Sequence, residues 1–528
     1  MDMEREENVV RLAKPVKKGL LRLVFSRFFI IALMILLEIA VIVMVYLKLA
    51  QQVPVFLHLR WIFTFVMIIY LFNNNMDQSA KLTWMLLISI MPLAGSAMLL
   101  WTQLNLGHRM ETDHVRTQIE KTRNALTQPK HVLKEIEHDG SGTDDLGKYL
   151  NHSGCFPIYD KTEVTYFPLG EKKFEAMLEE LEKAEKYIFM EYFIIEEGYM
   201  WGRILDVLIR KAKEGVEVRV MYDGMCEMST LRPNYWKLLE AKGIHAKSFS
   251  PIIPVVSSHF NYRDHRKILV IDGKVAFNGG VNLADEYINR IERFGHWKDT
   301  AVMIKGPAAR SFALIFLQMW NVRPNEDDHY DYKDWLSLPE YKAADASGYV
   351  MPFCDSPLDE YKTGEAVYID MLYRATDYVH IMTPYLILDG ELETALCFAA
   401  QRGVDVKLML PGIPDKAVAY ALAKTHYASL HSAGVKIYEY TPGFVHAKVF
   451  VSDDIRAVVG TINLDYRSLY HHFECATYLY RTDCIADIEK DFQETLKKCR
   501  VVTTESIRKE KLSYKLIGGV AKMISPLM

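Results

Sequence analysis

The chain has 528 residues, half of them apolar and a quarter charged, with a formal net charge of −4. These are globular values, so a membrane signal has to come from local runs, and there is none of the basic bias of a dedicated nucleic-acid binder. The seven cysteines are odd in number and form no C-x-x-C pair, which argues against a disulfide framework and against a zinc site of the common kind.

Residues 1–27 form a basic N-terminus with Arg11, Lys14, Lys17, Lys18, Arg22 and Arg27, a charge pattern expected on the cytoplasmic side. A transmembrane helical region is expected over 28–105. Segments 28–49 and 82–104 are long enough to span, because about 20 apolar residues in a helix cross the hydrocarbon core. The middle stretch, 61–72, is short and approaches that length only by extending back through Arg60 and His58, so 57–72 reads as a doubtful span. Segment 28–49 carries two charges, Glu38 and Lys48 near its end, and no small-residue cleavage site follows it, so it reads as a retained anchor. Arg109, Arg116, Lys121, Arg123 and Lys130 follow the last stretch. Both basic flanks cannot be cytoplasmic if three segments cross. Either the middle stretch is re-entrant, or the catalytic part faces outward. A polar helical connector is expected over 106–150, with a turn cluster at Asp139, Gly140, Ser141 and Gly142.

The rest of the chain repeats itself. Residues 151–345 form one half and 346–505 the other, each predicted to contain strand, helix and strand. Val216, Val218 and Val220 alternate in the first, and Val404, Val406 and Leu408 in the second. A strand–helix–strand unit implies parallel strands and an α/β sheet. Each half then carries the pattern H-x-K-x4-D followed by a glycine turn and asparagine. The first has His265, Lys267, Asp272, Gly279, Gly280 and Asn282; the second has His446, Lys448, Asp453, Gly460, Thr461 and Asn463.

This constellation suits phosphoryl transfer. In H-x-K on a strand the two side chains share a face, because strand periodicity is two. Lysine supplies charge to the non-bridging oxygens of a phosphodiester, and asparagine adds neutral donors. Two such units about a pseudo-twofold axis place two histidines on opposite sides of one phosphorus. One attacks and the other protonates the leaving oxygen, through a phosphohistidine. The lysines carry the charge, so neither metal nor cofactor is expected. Each histidine calls for an orienting carboxylate. Asp299 and Glu474 are the candidates, 34 and 28 residues after their respective histidines. Asp272 and Asp453, the remaining motif members, sit at strand ends and read as structural or supporting groups.

These motifs resemble the HKD motifs of the phospholipase D superfamily. The residues around Asn261 and Trp297, the Thr383-Pro-Tyr385 segment, and the runs 443–448 and 460–468 narrow the resemblance to bacterial cardiolipin synthases over nearly the whole chain. It implies two phospholipase D-like α/β halves forming one active site, in a multi-pass protein of the bacterial cell membrane. It also implies phosphatidyl transfer between two phosphatidylglycerol molecules, giving cardiolipin and glycerol. His265 would be the nucleophile and His446 the general acid, with Lys267, Lys448, Asn282 and Asn463 holding the phosphate. The partners are then phosphatidylglycerol and the lipid bilayer, not nucleic acid. The alternative is a membrane-bound phosphodiesterase, acting on phospholipid or, less in keeping with the charge and the anchor, on nucleic acid, in which water resolves the intermediate. Two departures from the family pattern stand out: His472 in place of asparagine, and the run 386–390 after Tyr385.

Arg266 points to the other strand face and reads as structural. His259, His296, His431 and His471 have no patterned partner and read as ordinary. The tail 506–528 has Leu512, Leu516, Val520 and Met523 near one helical face with lysines beside it. That face suits either an anionic lipid surface or packing on the domain.

Overall fold

The computed structural model describes residues 9–13, 39–40, 43, 53–103, 106–250, 262–322, 332–337 and 345–527. The chain divides into two units. In the smaller, helix α1 runs Val53–Phe72, α2 Gln78–Ile90 and α3 Pro92–Gln103. Asp77 caps α2, its carboxylate accepting from the Ala80 amide at 3.1 Å. Leu71, Trp84, Ile88 and Leu99 form a small buried core. Leu59, Trp61, Ile62, Phe65, Val66, Ile69 and Phe72 of α1 remain exposed.

Among the described residues no helix is long and apolar enough to cross a membrane. The expected span 82–104 is not one helix. It breaks at Met91 and Pro92, and the turn is sharp enough that a Cβ on Gly95 would lie 3.1 Å from the Ile88 backbone. Proline cannot donate to the preceding turn, so α2 ends before it. At about 1.5 Å per residue, neither arm reaches the ~30 Å of a hydrocarbon core. Apart from Ile39, Ala40 and Val43, the expected span 28–49 lies outside the described residues.

The larger unit contains two mixed sheets. In the first half the strands are β1 (Glu163–Phe167), β2 (Tyr187–Tyr192), β3 (Glu217–Asp223), β4 (His245–Phe249), β5 (Arg263–Asp264), β6 (Lys267–Ile271), β7 (Val275–Gly279), β8 (His296–Lys298) and β9 (Ala301–Lys305). Helix α4 (Gly170–Glu182) follows β1, and α5 (Tyr199–Lys213) joins β2 to β3. Helix α6 (Ala309–Trp320) leads to the second half. There the strands are β10 (Tyr349–Asp355), β11 (Tyr378–Met382), β12 (Asp405–Pro411), β13 (Lys436–Tyr440), β14 (Gly443–Val445), β15 (Val449–Ser452), β16 (Arg456–Gly460), β17 (His472–Tyr480) and β18 (Cys499–Val501). Helix α7 (Gly390–Gln401) joins β11 to β12.

The first sheet runs β1-β9-β7-β6-β2-β3-β4 and the second β10-β17-β16-β15-β11-β12-β13-β18. The orders match strand for strand, with β18 added at one edge. The expected strand–helix–strand units are present, with β2 parallel to β3 and β11 parallel to β12. The motif strands β6 and β15 pair antiparallel to β2 and β11, so each sheet is mixed rather than parallel. Every residue of α6 except Arg310 is buried. It shares one core with Phe189 and Val270 of the first sheet and Val379 and Phe450 of the second, which is where a helix apolar all round belongs.

Asp272 and Asp453 close equivalent turns, each with φ 54°. Asp272 accepts from the amides of Glu185, Lys186 and Tyr187 at 2.8–2.9 Å. Asp453 accepts from those of Thr376, Asp377 and Tyr378 at 2.9–3.0 Å. Asp272→Ala and Asp453→Ala strip the partners from these amides. Each should destabilise the larger unit by about 1–3 kcal/mol, read as a lower denaturant midpoint. An unchanged midpoint would contradict this bracing role.

Candidate active site

Each motif histidine is placed by a short strand that leaves its own half. Strand β5 pairs with the start of β17, Arg263 opposite His472 and Asp264 opposite Phe473. The His265 amide then donates to the Phe473 carbonyl at 2.9 Å. Strand β14 pairs with β8 from Gly443 opposite His296 to Val445 opposite Lys298, and the His446 amide donates to the Lys298 carbonyl at 2.7 Å. Glycine is needed at 443, since a Cβ there would come within 2.3 Å of the His296 carbonyl oxygen. Buried Asp223 anchors β5, accepting from the Asp264 amide at 2.9 Å and pairing with Arg263 at 3.4 Å.

Glu474 follows Phe473 and Asp299 follows Lys298, so each carboxylate emerges beside the histidine of the other half. His265 Nδ1 lies 2.9 Å from both Glu474 oxygens. His446 Nδ1 lies 2.6 Å from Asp299 Oδ2. The expected pairing within each half, Asp299 with His265 and Glu474 with His446, is therefore corrected to a crossed one. Counting residues within a half carries no information about a strand that pairs outside it.

All four groups are buried. Burial, with the charges of Lys267 and Lys448, pushes His265 well below the usual histidine range. Burial and Lys448 bring His446 down to about 4. Burial pulls Asp299 upward, but His446 and Lys448 outweigh it and hold the carboxyl below its ordinary value. At neutral pH both imidazoles are neutral. The carboxylates fix the proton on Nδ1 and leave the Nε2 lone pair for chemistry.

Lys267 Nζ donates to the His265 carbonyl at 2.5 Å, and Lys448 Nζ donates to that of His446. Lys448 Nζ also sits 3.0 and 3.1 Å from the two His446 ring nitrogens. Burial lowers Lys267 to about 8, despite Glu474 nearby, and Lys448 to about 7, despite Asp299. Aromatic rings wall the site. Phe193 lies 4.9 Å from His265, and Tyr287 and Trp297 lie 5.3 and 5.5 Å from His446.

The two halves differ at the residue after the motif glycine. A Cβ on Gly280 would lie 2.1 Å from Asp299 Oδ1, so glycine makes room for that carboxylate. At the matching position the Thr461 hydroxyl donates to Glu474 Oε2. The asparagines differ too. Asn282 accepts from the Ile194 amide at 3.1 Å and donates to the Tyr287 hydroxyl at 2.8 Å. Asn463 Oδ1 has no partner among the described residues.

Asp272 and Asp453 stand apart from the histidines and bind backbone, so the structure does not bring them to the site. Arg266 pairs with Glu191 at 2.5 Å and with Asp264 at 3.0 Å, the structural role expected. His296 contacts Tyr440 and His431 contacts Thr504; His259 lies outside the described residues. Sequence reasoning missed Lys173, which α4 buries with Nζ 3.2 Å from the Val281 carbonyl. Burial lowers it to about 7, with the charges of Asp299 and Lys267 acting on it in opposite directions. The signal was a lone lysine on the apolar stripe with Met177 and Leu181. The exposed Lys416, whose charge also depresses His265, left no signal.

Two buried histidines are thus held by buried carboxylates, with two lysines beside them. A family profile described as "Cardiolipin synthase, PLD-like domain" matches residues 177–320 and 368–496. Cardiolipin synthase 2 of Bacillus anthracis is 33% identical, covering 87% of this chain and 88% of its own. The cardiolipin synthase of Alkalihalophilus pseudofirmus is 32% identical, covering 87% and 91%. A Streptococcus mutans protein described only as uncharacterized is 58% identical, covering 87% and 99%. The crystal structure of Haemophilus influenzae phosphatidylserine synthase shares the fold, with a TM-score of 0.55 at 14% identity over 73% of this chain and 97% of that one. The chain belongs to the cardiolipin synthase family and is a phosphatidyltransferase.

The crossed pairs predict a specific coupling pattern. In double-mutant cycles on unfolding free energy, His265→Ala with Glu474→Ala should be strongly non-additive, as should His446→Ala with Asp299→Ala. Greater coupling within each half would contradict the geometry. The lysines predict a basic limb. Their cations are lost as pH rises through about 7 for Lys448 and about 8 for Lys267, so kcat/KM should fall above neutrality. A flat profile to pH 9 would contradict it.

Proposed function

We propose that the protein joins two phosphatidylglycerol molecules into cardiolipin, using both motif histidines on one phosphorus. The observation that carries this reading is the pair of crossed histidine–carboxylate contacts. His265 Nε2 attacks the phosphorus of the first phosphatidylglycerol. His446, protonated once the phosphodiester anion has arrived and raised its basicity, gives its proton to the departing glycerol oxygen. The bond to glycerol breaks as the bond to His265 forms, leaving a phosphatidyl-histidine and neutral His446. A head-group hydroxyl of the second phosphatidylglycerol then gives its proton to His446 and attacks phosphorus, releasing cardiolipin and regenerating His265. Lys267 and Lys448 hold the non-bridging oxygens, with Asn463 available beside them. Asp299 and Glu474 fix the tautomers and stabilise the imidazolium forms.

The assignment of His265 as nucleophile is supported by its two-oxygen contact with Glu474, which Thr461 also holds. A membrane location is supported by the exposed apolar residues of α1, since a patch of that kind calls for lipid or a partner. On this reading the α2–α3 hairpin enters the bilayer without crossing it. The tail helix Leu512–Ile524 leaves Leu512, Leu516, Val520 and Met523 exposed, and these residues would meet the lipid surface.

The detergent-purified protein incubated with phosphatidylglycerol alone should yield cardiolipin and free glycerol by mass spectrometry. His265→Ala and His446→Ala should each abolish the product. Phosphatidic acid without cardiolipin would mean that water resolves the intermediate and would overturn the transferase reading.

A further inference from the structure

His472 stands where the first motif would need nothing more. It is buried, with 7% of its surface exposed, and neither ring nitrogen has a hydrogen-bond partner among the described residues. A buried imidazole without partners is costly. Its ring lies 5.4 Å from that of His265, and its Nδ1 is 3.8 Å from Glu474 Oε1, beyond hydrogen-bond reach. Glu474 Oε1 is also 2.9 Å from His265 Nδ1, while Thr461 occupies the other oxygen. One ligand atom from each of His265, His472 and Glu474 thus falls within 4.8 Å of the others.

We propose that these three residues form an inhibitory site for a divalent transition metal, with Zn²⁺ the best match. Two imidazoles and one carboxylate are a known donor set for zinc with an open fourth position. With Zn–N and Zn–O bonds of about 2.0–2.2 Å, tetrahedral ligand atoms stand about 3.4 Å apart. The 2.9 and 3.8 Å separations from Glu474 Oε1 bracket that value, and all three ligand atoms lie within 4.8 Å of one another, so side-chain rearrangement on the order of an ångström closes the site. The metal takes the Nδ1 lone pair of His265, and the Nδ1 proton moves to Nε2. No proton is lost, but the nitrogen facing phosphorus no longer has a lone pair. Bound metal therefore switches off the nucleophile, and chelation restores it. The inhibition rests on the proposed role of His265; the binding does not.

Two readouts separate those claims. The full-length protein titrated with Co²⁺ should develop the visible bands of a tetrahedral cobalt centre at one equivalent. His472→Asn and His472→Gln should lose those bands while keeping the wild-type melting profile. Zn²⁺ should inhibit product formation, reversibly with EDTA, and the inhibitory concentration should rise by about tenfold or more in either variant. Cobalt bands with unaffected lipid synthesis would keep the site and sink the nucleophile block. Absent bands, or equal Zn²⁺ sensitivity of the wild type and both variants, would overturn the site.

Discussion

The crossed contact between each histidine and the other half's carboxylate is the constraint on which the site depends. Both members of each pair are buried. A buried carboxylate that loses its partner costs about 3–5 kcal/mol, so neither half can keep its own carboxylate satisfied alone. The exchange of β5 onto β17 and of β14 onto β8 therefore makes one catalytic object out of two repeated sheets. Helix α6 completes the fusion through a core common to both.

Pseudo-symmetry is strict where it serves the scaffold and relaxed where it serves chemistry. The strand orders match, and Asp272 and Asp453 close the same turn with the same φ. At the site the halves diverge. Gly280 yields space to Asp299, whereas Thr461 holds Glu474. One histidine is gripped by two oxygens and the other by one. Such a difference suits two distinct tasks, covalent attack and proton transfer, better than two copies of one task.

Much of this was legible in the sequence. Duplicated H-x-K-x4-D motifs and alternating valines marked the repeat, the α/β halves and the six motif residues. The family comparisons support the transferase class that those motifs suggested. Pairing across halves was not legible, because it arises from β5 and β14, segments of two and three residues too short to carry periodicity. Asp272 and Asp453 sit in the motif but act through backbone amides, a role that residue type alone does not reveal. The run 82–104 was apolar enough to read as a span, yet Pro92 folds it back on itself. Lys173 was visible as a charge on an apolar stripe, a signal that acquires meaning only once Asp299 is known to lie near.

Burst kinetics with phosphatidyl-p-nitrophenol test the central claim most directly, because this leaving group departs without a general acid. The account predicts that His446→Ala releases about one equivalent of nitrophenolate per protein and stops, with a phosphatidyl adduct on the peptide carrying His265. His265→Ala should release none. A burst that survives in His265→Ala, or an adduct found only on His446, would contradict the account.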